Sequence, residues 1–180
     1  MPKQEKKIWG VLAEFDTPRD VYLACEKCRD EGFSKWDSYT PYPVHGLDKA
    51  MGLKPSFLPW ISLFAGLTGA ALGFILQYWV SAVAYTHTIS GKPFNSFQAF
   101  IPVTFELGIL IGGLATAFGM FFINRLPTYY HPVFNSERFA AVTDDKFFIA
   151  IETDDPLYDG RKTKKFLKKL GATHVEELEE

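Results

Sequence analysis

"FQAFIPVTFELGILIGGLATAFGMFFI", residues 97–123, carries one formal charge, Glu106, in an otherwise apolar, small or uncharged polar run. A hydrocarbon core of ~30 Å takes about 20 helical residues, so this stretch can cross a bilayer with some tilt. A second stretch of the same kind, "FLPWISLFAGLTGAALGFILQYWVSAVAY", residues 57–85, precedes it. Between Lys54 and Arg125 the only formal charges are Lys92 and Glu106. Buried helices of a soluble core would show a charged stripe every few residues, and this interval shows none. Both stretches therefore read as transmembrane helices, over 57–85 and 97–124. Trp60, Tyr78, Trp79, Tyr85, Tyr129 and Tyr130 fall where interfacial anchors belong.

The connection "THTISGKPFNS", residues 86–96, is short and contains Gly91 and Pro93, which predicts an antiparallel hairpin with both termini on one side. That side offers Lys49, Lys54, Arg125 and Arg138 against Lys92 in the loop. The positive-inside bias then puts both termini in the cytoplasm and the loop 86–96 on the far side of the membrane, which in a bacterial inner membrane is the periplasm. The apolar part of "MPKQEKKIWGVLAEF" is too short and interrupted for a signal peptide, so the first span is expected to act as its own signal.

The flanks resemble one another. "KIWGVLAEF" reads as a strand, and in "DTPRDVYLACEKCRDEG" Thr17 caps a helix, Pro18 takes its first position and Gly32 closes it. "FSKWDSYTP" reads as a second strand. On the carboxyl side "DKFFIAIET" reads as a strand, "DDPLYDGRKTKKFLKKLG" as a helix stopped by Gly171, and "ATHVEEL" as a strand. Neither strand–helix–strand unit can bury a sheet alone. Together they predict an α+β membrane protein: a split ferredoxin-like βαβ/βαβ cytoplasmic domain interrupted by a two-helix transmembrane hairpin. Its halves are 1–48 and 146–180, joined to the spans by connectors 49–56 and 125–145. Both connectors are expected to lie at the cytoplasmic surface. Val21, Ala24, Cys25 and Cys28 share one helix face and Phe166, Leu167 and Leu170 another, leaving Lys162, Lys164, Lys165, Lys168 and Lys169 as a solvated face.

With 180 residues and a net charge of −2, the chain has no basic footprint for nucleic acid. "CEKC" suggests redox or metal chemistry. Cys25 and Cys28, however, lie two turns inside the helix, away from the N-terminal dipole that activates such thiols. A zinc or iron–sulfur site would need about four ligands, and there is no third cysteine. C-type haem attachment needs a histidine where Arg29 stands. The pair reads as small buried hydrophobes. His45, His87, His131 and His174 all lie outside the spans, where they cannot hold an intramembrane haem. No phosphate-binding glycine loop, nucleophile elbow or zinc-protease motif is present. No catalytic or metal-binding residue is assigned.

Glu106 is the remaining anomaly. An unpaired charge deep in a membrane costs roughly 3 kcal/mol on insertion scales, so the carboxyl should face protein or water. Small residues form stripes on both spans: Gly66, Gly69, Ala70 and Gly73, continuing to Gln77 and Ser81, on the first, and Gly108, Gly112, Ala115 and Gly119 on the second. If these stripes pack together, Glu106 faces away and must be met by a helix from another chain. If instead its face packs inward, Gln77, at similar depth, becomes its hydrogen-bond partner. Both packings are open. Depth alone makes Glu106 a candidate for proton transfer.

The blocks "KWDSYTPYPVHGLDKAMG", "LGFILQYW", "GKPFNSFQAFIPVTFELGIL", "LPTYYHPVFNSERF" and "DKFFIAIETDDP" closely resemble the ActD subunit family of bacterial alternative complex III. The resemblance runs from about Trp9 to Gly171. It implies a non-catalytic, cofactor-free subunit of a respiratory or photosynthetic quinol-oxidising complex, in which partner subunits carry haem c and iron–sulfur clusters and polytopic partners bind quinol. A different reading is a free-standing membrane sensor or metal-handling protein with a ferredoxin-like binding domain. Such metal-binding domains place C-x-x-C in the loop before the helix, unlike this chain.

Overall fold

The computed structural model describes residues 7–180. The chain divides into two compact units, one formed by Tyr129–Glu180 with the residues up to Lys54, the other by Pro55–Thr128.

The first unit is a helix-and-antiparallel-sheet structure. Strands β1 (Ile8–Phe15), β2 (Trp36–Tyr39), β3 (Phe147–Glu152) and β4 (His174–Glu179) lie in the order β2-β3-β1-β4, every neighbouring pair antiparallel. The central strands come one from each flank of the membrane segment, with Val11 opposite Ile151 and Ala13 opposite Ile149. Both are near-continuous apolar runs because both of their faces are covered. On one face Val11, Ala13, Phe15, Phe147, Ile149 and Ile151 pack with α1 (Pro18–Glu31) and the later helix that follows β3. Each fully buried Phe or Ile there contributes about 1.5–3 kcal/mol. On the other face Leu12, Phe148, Ala150 and Leu178 meet Val133 and Phe139, from two short 3₁₀ turns at Pro132–Asn135 and Arg138–Thr143. Gly10 is required where the central strands meet, since a Cβ there would come 2.5 Å from Ile151 O.

Local signals account for α1. Thr17 Oγ1 accepts from Asp20 N at 3.2 Å, Pro18 opens the helix, and Gly32 ends it at φ +90°. A short helix, α2 (Leu47–Met51), set between Gly46 and Gly52 at positive φ, runs from the end of the first half into the stretch 49–56 that sequence reads as a connector. Ala50 is buried in the core and Arg29 Nη1 donates to Lys49 O at 3.0 Å, so α1 holds α2 in place. The carboxyl-side helix also begins later than its sequence suggests. A turn over 153–157 comes first, and Asp159 then caps the helix by accepting from Arg161 N and Lys162 N.

The second unit is a helical hairpin of α3 (Leu58–Trp79) and α4 (Phe97–Ile123); the carboxyl-side helix of the first unit is α5 (Gly160–Lys169). A single π-helical turn, Val80–Ala84, extends α3. Both spans are long and apolar enough to cross a membrane. Apart from Glu106, their outward side chains are mostly apolar and exposed, Leu67 by 59% and Phe118 by 66%, as lipid or protein partners require.

Candidate functional site

The hairpin seam is made of backbone. A Cβ on Gly69 would lie 2.5 Å from Leu107 O, and one on Gly112 would lie 3.3 Å from Gly66 Cα. Gly73 faces Thr104 and Leu107, Gly108 faces Gly66 O, and Gly119 abuts Leu58 and Ile61. Removing side chains here lets α3 and α4 approach closely, which supplies dispersion contacts where lipid provides no hydrophobic drive.

Polar groups join the same seam. Gln77 Nε2 donates to Gly73 O at 3.0 Å, and at the same distance to Phe100 O across the interface, with Thr104 Oγ1 at 3.3 Å. Thr116 Oγ1 donates to Gly112 O at 2.7 Å and lies 2.8 Å from Ser62 Oγ on the facing helix. Sequence reading singled out Gln77 and missed Thr104, Ser62 and Thr116. Their i and i+4 positions relative to the glycine stripes are the signal that could have found them.

Glu106 is on the opposite side of α4. Ala99, Pro102, Val103, Glu106, Ile109, Leu110 and Gly113 form one face, and all are exposed on the hairpin. Among the described residues no hydrogen bond or ion pair holds Glu106. Gln77 therefore turns to Phe100 and Thr104, and the chain brings Gln77 and Glu106 to opposite sides of α4. At a rise of about 1.5 Å per residue, Glu106 is ~14 Å along α4 from Phe97 and ~26 Å from Ile123, within the depth of the hydrocarbon.

At the loop end, Ser81, Tyr85, His87, Lys92 and Phe94 line an open hollow of about 470 Å³. His131 stacks edge-on against Trp9 with ring centroids 4.9 Å apart, and its Nδ1 accepts from Val133 N. His174 Nε2 stands 3.8 Å from Glu176. Cys25 and Cys28 are fully buried, and burial pushes both thiols up to about 12, where almost no thiolate exists at neutral pH. Among the described residues no group of three or more His, Cys, Asp or Glu is placed to hold a metal ion.

Two carboxylates that sequence reading passed over do structural work in the first unit. Glu14, only 5% exposed, pairs through Oε2 with Arg138 Nε at 2.7 Å, fastening the 3₁₀ segment to the sheet. Asp155 Oδ2 accepts from Ser34 N and Lys35 N, and Oδ1 accepts from Leu157 N. Ser136 Oγ adds a short hydrogen bond to Glu176.

Comparison with known proteins adds one match. A family model described as "Alternative complex III, ActD subunit" matches residues 9–177. No curated protein matches the chain.

Proposed function

The chain belongs to the ActD subunit family of alternative complex III, and from that premise we propose that it is a non-catalytic, cofactor-free membrane subunit that helps assemble a quinol-oxidising complex. Other subunits of alternative complex III are its partners. In this reading those partners carry the haem c and iron–sulfur clusters, and polytopic ones among them bind quinol beside the hairpin.

The observation that carries the reading is the division of α4 into two faces. One is consumed by Gly108 and Gly112 against α3. The other presents Glu106 on an apolar surface that the rest of the hairpin leaves exposed. A hairpin finished on one side only suits a larger helical bundle. The proposed packing role falls to Gly66, Gly69, Gly73, Gly108, Gly112 and Gly119, with Gln77 as an intramembrane polar tie.

We read the soluble unit as a split ferredoxin-like domain. The order β2-β3-β1-β4 with antiparallel neighbours supports this, as does the placement of one helix after β1 and one after β3. The excess of Lys49, Lys54, Arg125 and Arg138 over Lys92 supports a bacterial inner-membrane location with both termini cytoplasmic. Glu106, at its depth, is assigned a part in proton movement coupled to quinol oxidation. Replacing it by Gln in the intact complex and measuring protons taken up per quinol tests that assignment. A lowered ratio is expected; an unchanged ratio reduces Glu106 to packing.

A further inference from the structure

Resting on the subunit reading above, we infer that the Glu106 face of α4 seats against a transmembrane helix of a neighbouring subunit, and that this helix presents a basic side chain at the depth of Glu106. The hairpin cannot meet the carboxyl itself. Its interior polar groups, Gln77, Thr104, Ser62 and Thr116, are engaged in the seam on the far side of α4. Its cations, Lys92 and Arg125, lie beyond the two ends of the span.

Left among acyl chains, a carboxylate costs roughly 3 kcal/mol on insertion scales, and a partner helix removes that cost only if it supplies the missing donor. A hydroxyl or amide would hydrogen-bond the group but leave its charge in a low-dielectric surround. A Lys, Arg or His side chain does both, which is why ionisable residues inside membranes pair with one another. The shape of the face agrees. Gly113, two turns from Glu106, has open space where a Cβ would be, whereas Gly69 in the seam would collide within 2.5 Å. The outer face thus keeps room for a close approach from outside, and the exposed Val103, Ile109 and Leu110 beside the carboxyl offer apolar area that a seated helix would cover.

The test uses the assembled complex in native membranes. Co-purification of the wild-type chain with the complex is scored first, and a chain missing from it overturns the subunit reading and this face with it. A photoreactive aliphatic residue is then placed at Val103 and, separately, at Leu110, and the adducts are sequenced by mass spectrometry. The expected product joins α4 to a transmembrane segment of another subunit bearing Lys, Arg or His within one turn of the adduct. Adducts to lipid alone, or to a segment without a basic residue, overturn this inference and leave the subunit reading standing. In a parallel measurement Glu106→Lys, which opposes two cations, is expected to deplete the chain from the complex, whereas Glu106→Asp retains it. Full retention of the Lys variant overturns the inference.

Discussion

Ser34 and Asp155, 121 positions apart and on opposite sides of the membrane segment in sequence, are joined by a 2.6 Å hydrogen bond from Ser34 N to Asp155 Oδ2. Lys35 N donates to the same oxygen at 2.7 Å, and Leu157 N to the other at 2.8 Å. With β1 paired to β3, this carboxylate stitches the two flanks of the hairpin into one fold.

Removing it should loosen the join. Asp155→Asn keeps the shape but loses acceptor strength, and Asp155→Ala leaves three backbone donors without their partner. A cost of about 1–3 kcal/mol is expected for the Ala variant. Hydrogen exchange at the Ser34 and Lys35 amides of the full chain in detergent reads it directly, as faster exchange than in the wild type. Unchanged protection would mean the strands alone hold the flanks.

Asp155 also sets a pH dependence. Burial opposes its ionisation, but the N–H donors of Lys35, Leu157 and Ser34 outweigh it and hold the carboxyl below its usual range. A carboxyl depressed on folding adds stability above its unfolded value of about 3.9, and that stability is lost as pH falls through the folded value. Stability of the first unit should therefore be flat near neutrality and fall below pH ~4. Asp155→Asn should flatten part of that acid slope, and an identical slope in the variant would exclude Asp155 as its source.

Glu14 and Arg138 form a second tie, between the sheet and the returning chain. Arg138→Ala strands a buried carboxylate, so it should destabilise the unit by about 1–3 kcal/mol. Because Arg138 is half exposed, the damage lies mainly in the orphaned Glu14. Adding Glu14→Gln to Arg138→Ala should recover part of the loss in a denaturant titration. Strict additivity of the two substitutions would show that the pair is uncoupled.

The hairpin seam separates two glycines sharply. Gly69→Leu drives a side chain into Leu107 O and should part the helices, whereas Gly113→Ala enters open space and should leave the hairpin intact. The rate of disulfide formation between Cys residues placed at Ser62 and Thr116, whose hydroxyls stand 2.8 Å apart, reports the seam. It should fall severalfold with Gly69→Leu and stay level with Gly113→Ala. Equal rates would mean that close backbone approach is unnecessary.

Cys25 and Cys28 should be silent toward thiol reagents. With thiols raised to about 12 by burial, their thiolate fraction near pH 7.5 is on the order of 10³ below that of a free cysteine. Maleimide labelling of the folded chain should be negligible and complete only after denaturation. Rapid labelling of the native protein would reopen a redox role.

The spans are legible in sequence because charge vanishes between Lys54 and Arg125 apart from Lys92 and Glu106, a pattern that needs no tertiary context. The same holds for α1, whose Thr17, Pro18 and Gly32 act within a turn of themselves. The start of α5 is not legible in this way. The stretch DDPLYD, residues 154–159, is compatible with the start of a helix locally, and only the distant amides of Ser34 and Lys35 turn Asp155 into the centre of a turn. Helix α2 and the 3₁₀ segment escape notice because single apolar residues, Ala50, Val133 and Phe139, decide them among prolines and polar neighbours. For Glu106 and Gln77, depth is readable from position along the span. Which face meets which depends on how close the glycines let the two backbones come.

The most direct test is to tag this chain, extract membranes in mild detergent and run native electrophoresis with haem staining and mass identification of each subunit. The account predicts that the tagged chain comigrates with a haem-bearing assembly of alternative complex III subunits. A stable, monodisperse 20.4 kDa species, free of other polypeptides, would contradict it.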